Sequence, residues 1–397
     1  MSKYKGVDGR GFSTRSVHAG ESRKKHADAI TTPIVQSSVY VFEDTAEIQK
    51  YVADKRTRFE YGRYGNPTQR VAEEKLAALE KTEDALLFST GMSAVTTALL
   101  AFLSKGDHLV VTDDCYRKTR TFCETTLARL GVDTTFVPAG DYEALRDAMT
   151  GKTKVVLTET PTNPHLRVID VPRAAKIAAA RKAKLFVDST LATPYNLQAL
   201  TLGADLVIHS ATKYLGGHND LLAGVVMGPA SVVDPVRDLQ GQLGGTIDPH
   251  CAYLLLRGLK TLALRVEKHN RNGLAMARFL EGYPKIEEVY YPGLETHPDY
   301  AIAKEQMKGS GGVVSFLIKG GSDETLRFID NLKLPYLGPS FGGVESLVYH
   351  PATLTFNDMP RAKREKLGIG DNLVRYAAGI EDEEDIIADL DRALRVV

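Results

Sequence analysis

Cysteine is scarce: only Cys115, Cys123 and Cys251 occur in 397 residues. They form neither an even-numbered framework nor a C-x-x-C pair, so a disulfide scaffold and a zinc site are both disfavoured and a reducing compartment is expected. No sign of charge is in excess either, since Lys+Arg and Asp+Glu number 50 each. That balance argues against nucleic acid or an anionic membrane surface as partner and for a small molecule. No apolar run approaches the roughly 18 residues of a membrane span. The stretch Met1 to Gly20 is polar, without the apolar segment of a secretory signal, and no Arg- and Ser-rich transit-like extension is present. Internal repeats, low-complexity tracts and disordered linkers are also missing. The expectation from these absences is a cytoplasmic protein acting on small molecules.

What is present is a chain with 43% hydrophobic residues, long enough for two domains. From about residue 84, seven short apolar runs alternate with helix-length segments: Ala85 to Phe88, His108 to Val111, Thr135 to Val137, Val155 to Leu157, Leu185 to Val187, Leu206 to Ile208 and Ala223 to Met227. Continuous apolar runs with helical crossovers predict a mainly parallel seven-stranded α/β sheet covered on both faces. Function is then expected at the carboxyl ends of the strands. Near residue 260 a long helical stretch begins. Sparser strands follow at Gly312 to Ile318 and Leu373 to Gly379, and a closing helix from Asp382 to Val397 starts with acidic residues that suit its dipole. The expected division is an arm over residues 1–63, a cofactor domain over 64–262 and a smaller α+β domain over 263–397.

The chemistry centres on Lys213, in Ser210-Ala211-Thr212-Lys213-Tyr214-Leu215-Gly216-Gly217-His218, just past an apolar strand. A lysine there, among small hydroxylated residues and glycines, suits an aldehyde cofactor held as a Schiff base, which points to pyridoxal 5′-phosphate (PLP). Asp188 ends the preceding strand, so two successive strand ends can meet one ring, with Asp188 keeping the pyridine nitrogen protonated. Ser89-Thr90-Gly91-Met92-Ser93-Ala94 supplies a strand-to-helix turn whose backbone N–H groups form an anion site. Ser210 and Thr212 can add hydroxyl donors to a phosphate, and Thr190 joins the expected cofactor contacts. Tyr116 follows another strand and either stacks on the ring or covers the sheet end. Asn163 either donates to the ring's phenolic oxygen or serves a turn. Arg375 lies in a strand-like run where a buried cation needs an anion, either an acidic side chain or a substrate carboxylate.

Together these residues resemble, over nearly the whole chain, the cysteine and methionine metabolism family of PLP enzymes. The matching segments are Tyr61-Gly62-Arg63-Tyr64-Gly65-Asn66-Pro67-Thr68, Ser89 to Ala94, Pro161 to Pro164, Val187-Asp188 and Leu202 to Asp205 running into Ser210 to Gly217. The resemblance implies the aspartate-aminotransferase-like PLP fold, type I. It makes Lys213 the Schiff-base lysine, Asp188 the pyridine-nitrogen partner and Tyr116 the stacking tyrosine. Gly91, Met92, Ser210 and Thr212 would hold the phosphate. It further implies that Tyr61 and Arg63 reach a neighbouring subunit's cofactor, in a homotetramer of two active dimers. Arg375 would bind the substrate carboxylate, assisted by Ser340.

Within that family, Arg117, Lys118 and Arg120 place three cations just past Tyr116. Such a rim suits a homoserine ester with an anionic tail, and Lys118 and Arg120 are the expected leaving-group ligands. The string Cys115 to Arg120 resembles plant-type cystathionine γ-synthases. Pro339 stands where many γ-synthases and γ-lyases carry Glu, which weakens a γ-lyase assignment more than a plant-type one. The implied activity is γ-replacement joining O-phospho- or O-succinylhomoserine to cysteine. The alternatives are a γ-lyase of cystathionine or methionine, an O-acylhomoserine sulfhydrylase and, remotely, a non-catalytic binding protein on the same fold.

Overall fold

The computed structural model describes residues 9–55 and 57–397. Seven strands form the principal sheet: β1 (Asp84–Phe88), β2 (His108–Thr112), β3 (Asp133–Val137), β4 (Thr153–Glu159), β5 (Lys184–Asp188), β6 (Leu206–His209) and β7 (Gly224–Gly228). Their order is β1-β7-β6-β5-β4-β2-β3. β7 runs antiparallel to both neighbours and the other pairs are parallel. All seven apolar runs are therefore strands. β1, β2, β6 and β7 are buried at every position.

Alternation along each strand divides the burial between two faces. Ala85, Leu87 and Val110 face one core with the helix Pro67–Glu80. Leu86, Phe88, Leu109 and Val111 face the other with the helices Gly91–Phe102 and Ala230–Leu243. Each fully buried Leu, Val or Phe contributes about 1.5–3 kcal/mol over its exposed state, so the layering is dictated by these side chains. Close approach of backbone matters at one point. A Cβ on Gly224 would lie 2.1 Å from the carbonyl oxygen of Thr90, so β7 fits against the turn that opens the helix Gly91–Phe102 only as glycine.

The second sheet contains β8 (Ile286–Tyr290), β9 (Val313–Ile318), β10 (Tyr336–Leu337), β11 (Leu347–Tyr349) and β12 (Leu373–Ala377), in the order β10-β11-β12-β9-β8. The helix Leu262–Glu281 belongs to both cores: Leu262, Ala263 and Val266 pack with the large sheet, Met276, Ala277 and Leu280 with the small one. The closing helix Glu383–Arg395 covers the small sheet through Ile386, Leu390 and Leu394. Among the described residues the arm contains two short α-helices, Phe12–His18 and Thr45–Ala53, and a 3-10 turn at His26–Asp28. Its start is fastened to the body: Phe12 enters the large core, and the Lys75 ammonium donates to the Val17 carbonyl at 2.9 Å. Farther along, Ile30, Val39, Val41 and Val52 are exposed.

Candidate active site

β4, β5 and β6 lie side by side and end together, with Glu159 opposite Asp188 and Asp188 opposite Ile208. The loops leaving these strands carry the reactive groups. After β6 the backbone turns tightly, the N–H of Lys213 donating to the Ser210 carbonyl at 3.1 Å and that of Gly217 to the Lys213 carbonyl at 2.8 Å. The Lys213 ammonium donates to the Ser340 hydroxyl at 2.8 Å and stands 5.1 Å from the centre of the Phe341 ring. Burial, helped by the nearby Arg375 cation, brings its pKa down to about 8. The lowered value brings the neutral amine, which a nucleophile or proton carrier requires, closer to the neutral pH range, although the ammonium still predominates there.

Asp188 is half-buried at the end of β5. One carboxylate oxygen accepts from the Thr190 backbone N–H at 3.0 Å and from its hydroxyl at 2.5 Å, while the other makes no hydrogen bond among the described residues. Burial raises its pKa against the opposing effect of Thr190. A half-buried carboxylate with one open oxygen can hold a cationic N–H. The Thr190 hydroxyl also accepts from the Ser210 backbone N–H at 2.8 Å, tying the carboxylate to the lysine turn.

The helix Gly91–Phe102 begins beside this turn, with Thr90 as its cap accepting from the Ser93 N–H at 3.0 Å. A Cβ on Gly91 would lie 2.7 Å from Ser210 Cβ, so glycine leaves the first helical N–H groups open next to the Ser210 hydroxyl. That is a cradle for a phosphate. Thr212 fits it less directly. Its hydroxyl donates to the Ala223 carbonyl at 3.2 Å and accepts from the Ala223 N–H at 3.0 Å, so it first locks the lysine turn to the start of β7.

Tyr116 stands at the mouth, 44% exposed, its backbone N–H donating to Glu159 at 2.8 Å. Burial and the Glu159 charge raise its pKa. Arg375, 3% exposed on β12, donates to the Asn163 side-chain oxygen at 3.1 Å and to the carbonyls of Pro339 and Ser340 at 3.2 and 3.0 Å. Its guanidinium also lies 4.3 Å from the Tyr349 ring centre. Among the described residues it has no carboxylate in ion-pair contact and its Nε has no partner. A guanidinium stays charged, so this geometry calls for an external anion.

The cationic rim divides. Arg117 is held by the Thr355 carbonyl and Asp358. Arg120 donates to Glu124 at 2.8 Å and to the Asp113 carbonyl at 3.1 Å, with its guanidinium over Phe136. Local acceptors thus engage Arg120, expected as a leaving-group ligand. Lys118 is exposed and its ammonium makes no hydrogen bond or ion pair among the described residues, although its charge helps to lower the Asp358 pKa. Tyr61 and Arg63 lie apart from the cluster. Arg63 donates to the Tyr64 hydroxyl at 3.0 Å and stacks near Tyr61 and Tyr64, and none of its contacts within the chain is to Lys213, Asp188 or Tyr116.

Glu159 was not singled out by sequence reasoning. Burial first, then the charge of Asp188, pushes its pKa well up, and its carboxyl group anchors the Tyr116 backbone N–H. The available signal was a carboxylate closing an otherwise apolar run in register with Asp188. Tyr349 and Phe341, flanking Arg375, were likewise missed as ring contacts.

The profile of the family described as Cys/Met metabolism PLP-dependent enzyme matches residues 13–395. The chain belongs to this family. Its members use PLP, and the open oxygen of Asp188, the Gly91 cradle and the desolvated Lys213 amine fit that group. Cystathionine gamma-synthase 1, chloroplastic, of Arabidopsis thaliana is 49% identical over 385 residues, 96% of this chain and 68% of the relative. The protein of the same name from Nicotiana tabacum is 50% identical over 382 residues, 96% of this chain and 71% of the relative. Among solved structures, metB from Corynebacterium glutamicum superposes with a TM-score of 0.92 at 39% identity, covering 98% of this chain and 99% of that one. The fold is thus the type I fold of PLP-dependent enzymes.

Proposed function

We propose that the chain catalyses γ-replacement: an activated homoserine ester, O-phospho- or O-succinylhomoserine, and L-cysteine give L-cystathionine and free phosphate or succinate. The Cγ–O bond breaks, a Cγ–S bond forms, and the thiol proton is released or taken up by the leaving group. The two plant relatives named above support this reading. The observation that carries it is Lys118, an exposed cation beside Tyr116 without an acidic contact partner, where a leaving group's charge can be met.

When bound, PLP supplies an electron sink that acidifies the hydrogens on the substrate's Cα and then Cβ. Lys213 would hold its aldehyde carbon, Asp188 its ring nitrogen, and Gly91, Met92 and Ser210 its phosphate. Thr190 orients Asp188, and Thr212 holds the lysine turn. Tyr116 would cover one ring face and Asn163 would donate to the phenolic oxygen. Arg375 takes the substrate carboxylate, fixing the Cα above the Lys213 amine, and Ser340 keeps that amine aimed into the site. The amine then moves the Cα and Cβ protons. Tyr61 and Arg63 are assigned to a neighbouring subunit's cofactor phosphate and substrate in a homotetramer of two active dimers. Their isolation from the chain's own cluster supports this. We propose the division into an arm over residues 1–63, a cofactor domain over 64–262 and a smaller domain over 263–397, with the helix Leu262–Glu281 packing in both cores. Among the described residues no helix is long and apolar enough to cross a membrane. With three free thiols, we assign the chain to the cytoplasm.

The test is to offer phosphoryl-, succinyl- and acetylhomoserine with and without cysteine and to follow cystathionine and 2-oxobutyrate separately. Cystathionine as the main product from a charged ester supports the proposal. Predominant 2-oxobutyrate with cysteine present would mean a γ-lyase instead.

A further inference from the structure

His165 lies two residues past Asn163, at the seam between the two sheets. Its Nδ1 is 3.1 Å from Asp114 Oδ1 and its Nε2 is 3.3 Å from the carbonyl oxygen of Gly368. Both partners only accept. A neutral imidazole has one N–H and can serve one of them, whereas an imidazolium serves both. Asp114 has further commitments: its other oxygen accepts from the Thr162 hydroxyl, and it lies two residues before Tyr116. On the opposite side, Gly368 precedes β12 and Arg375. It has φ +72°, and a Cβ there would lie 2.8 Å from His165 Nε2, so both the backbone and the contact require glycine. The imidazole therefore bridges the wall bearing Tyr116 and the wall bearing Arg375, beside a cavity of about 370 Å³ that Asn163, Arg117 and Phe356 also line.

We propose that His165 is a positioning residue that works as an imidazolium, clasping the Asp114 turn to the Gly368 carbonyl and so setting the width of the substrate mouth. Loss of its proton frees one acceptor and loosens the segment leading into β12.

The charged surroundings favour the proton. From the turn after β2 come Asp113 and Asp114. From β8, the Tyr290 ring meets the imidazole edge-on at 5.4 Å, with its hydroxyl donating to Glu288 at 2.9 Å. Arg167 is neutralised by Asp299 at 2.6 Å, and His297 is held neutral by burial. Arg117 and Arg120 across the cavity are occupied by Asp358 and Glu124, and Lys366 also lines it. Burial alone would lower the His165 pKa, but the hydrogen bond and charge of Asp114 more than offset it, and the net direction is upward. A raised folded value means that the clasp is complete below the ordinary histidine range and is lost as pH rises through the folded value.

The inference holds whichever ester is the substrate. Exchange of the imidazole C2 hydrogen, read by mass spectrometry on the His165 peptide of the PLP-loaded protein, measures its titration directly. It is expected above the ordinary value of about 6.5. In Asp114→Asn, which keeps the shape and removes the charge, it should fall by at least one unit. Amide protection of residues 366–372, corrected for intrinsic rates, should drop several-fold in the parent across the same pH step. In His165→Gln it should already be low and unchanging with pH. Titration at or below the ordinary value, or parallel protection curves in parent and His165→Gln, would overturn the proposal.

Discussion

The Lys213 amine has its proton loosened by burial, yet the site that loosens it also contains a buried carboxyl group and a buried guanidinium. Burial, and then the charge of Asp188, push the Glu159 pKa well up, while Thr190 opposes the effect of burial on Asp188, the carboxylate with an open oxygen to pair with a cation. Asp188→Asn preserves shape and hydrogen bonds to Thr190 but removes that charge, so turnover should fall by orders of magnitude in steady-state assays. A change of only a few-fold would assign the ring nitrogen to another group. At the rim, Arg117 and Arg120 are engaged by the protein and Lys118 is not. Lys118→Ala should lower kcat/KM for phosphoryl- or succinylhomoserine by roughly one to two orders of magnitude, given ~1.5–3 kcal/mol for a charge-assisted hydrogen bond. Neutral acetylhomoserine should be nearly unaffected, and equal losses for all three esters would reduce Lys118 to a shaping role.

At the scale of elements, the helix Pro67–Glu80 and strand β6 meet through two buried ionisable side chains. Glu80 Oε2 is 4.0 Å from His209 Nε2, too far for a direct hydrogen bond. Burial raises Glu80 to about 8 and lowers His209 to about 3, so the two face each other as neutral groups. The native state keeps the Glu80 proton after the unfolded chain has released its own, so stability declines as pH rises toward 8. Between pH 6.5 and 8 that decline should be on the order of 1–2 kcal/mol in urea titrations. Glu80→Gln should flatten it, and an unchanged slope would show that Glu80 is already ionised. The large sheet was legible because its strands are short apolar runs, most of them buried on both faces, a pattern independent of distant partners; the edge strand β3 is the exception, with only Val137 buried. β10 was not legible, because Tyr336 and Leu337 are both exposed and gain strand form only by pairing with β11. The helix Pro249–Leu259 also escaped notice. The site was legible where spacing along the chain carries it, as for Asp188 and Lys213. The Asp114–His165–Gly368 clasp was not, since His165 is separated from its partners by 51 and 203 positions.

For the whole molecule, the proposed site shared between subunits makes activity depend on assembly. Arg63→Ala and Lys213→Ala proteins, each nearly inactive, should regain activity when mixed under conditions of subunit exchange. Random pairing makes half of the dimers mixed, each with one complete site, so recovery should approach roughly a quarter of parental activity. No recovery despite proven exchange, or an active monomer, would remove the shared site. The same arrangement has a genetic consequence. Two alleles that are null on their own, one damaged in the arm and the other at the lysine, would complement each other when expressed together, whereas two alleles damaged in the same segment would not. Growth of such heteroallelic strains would therefore sort lesions by the subunit that supplies the missing group, before any protein is purified.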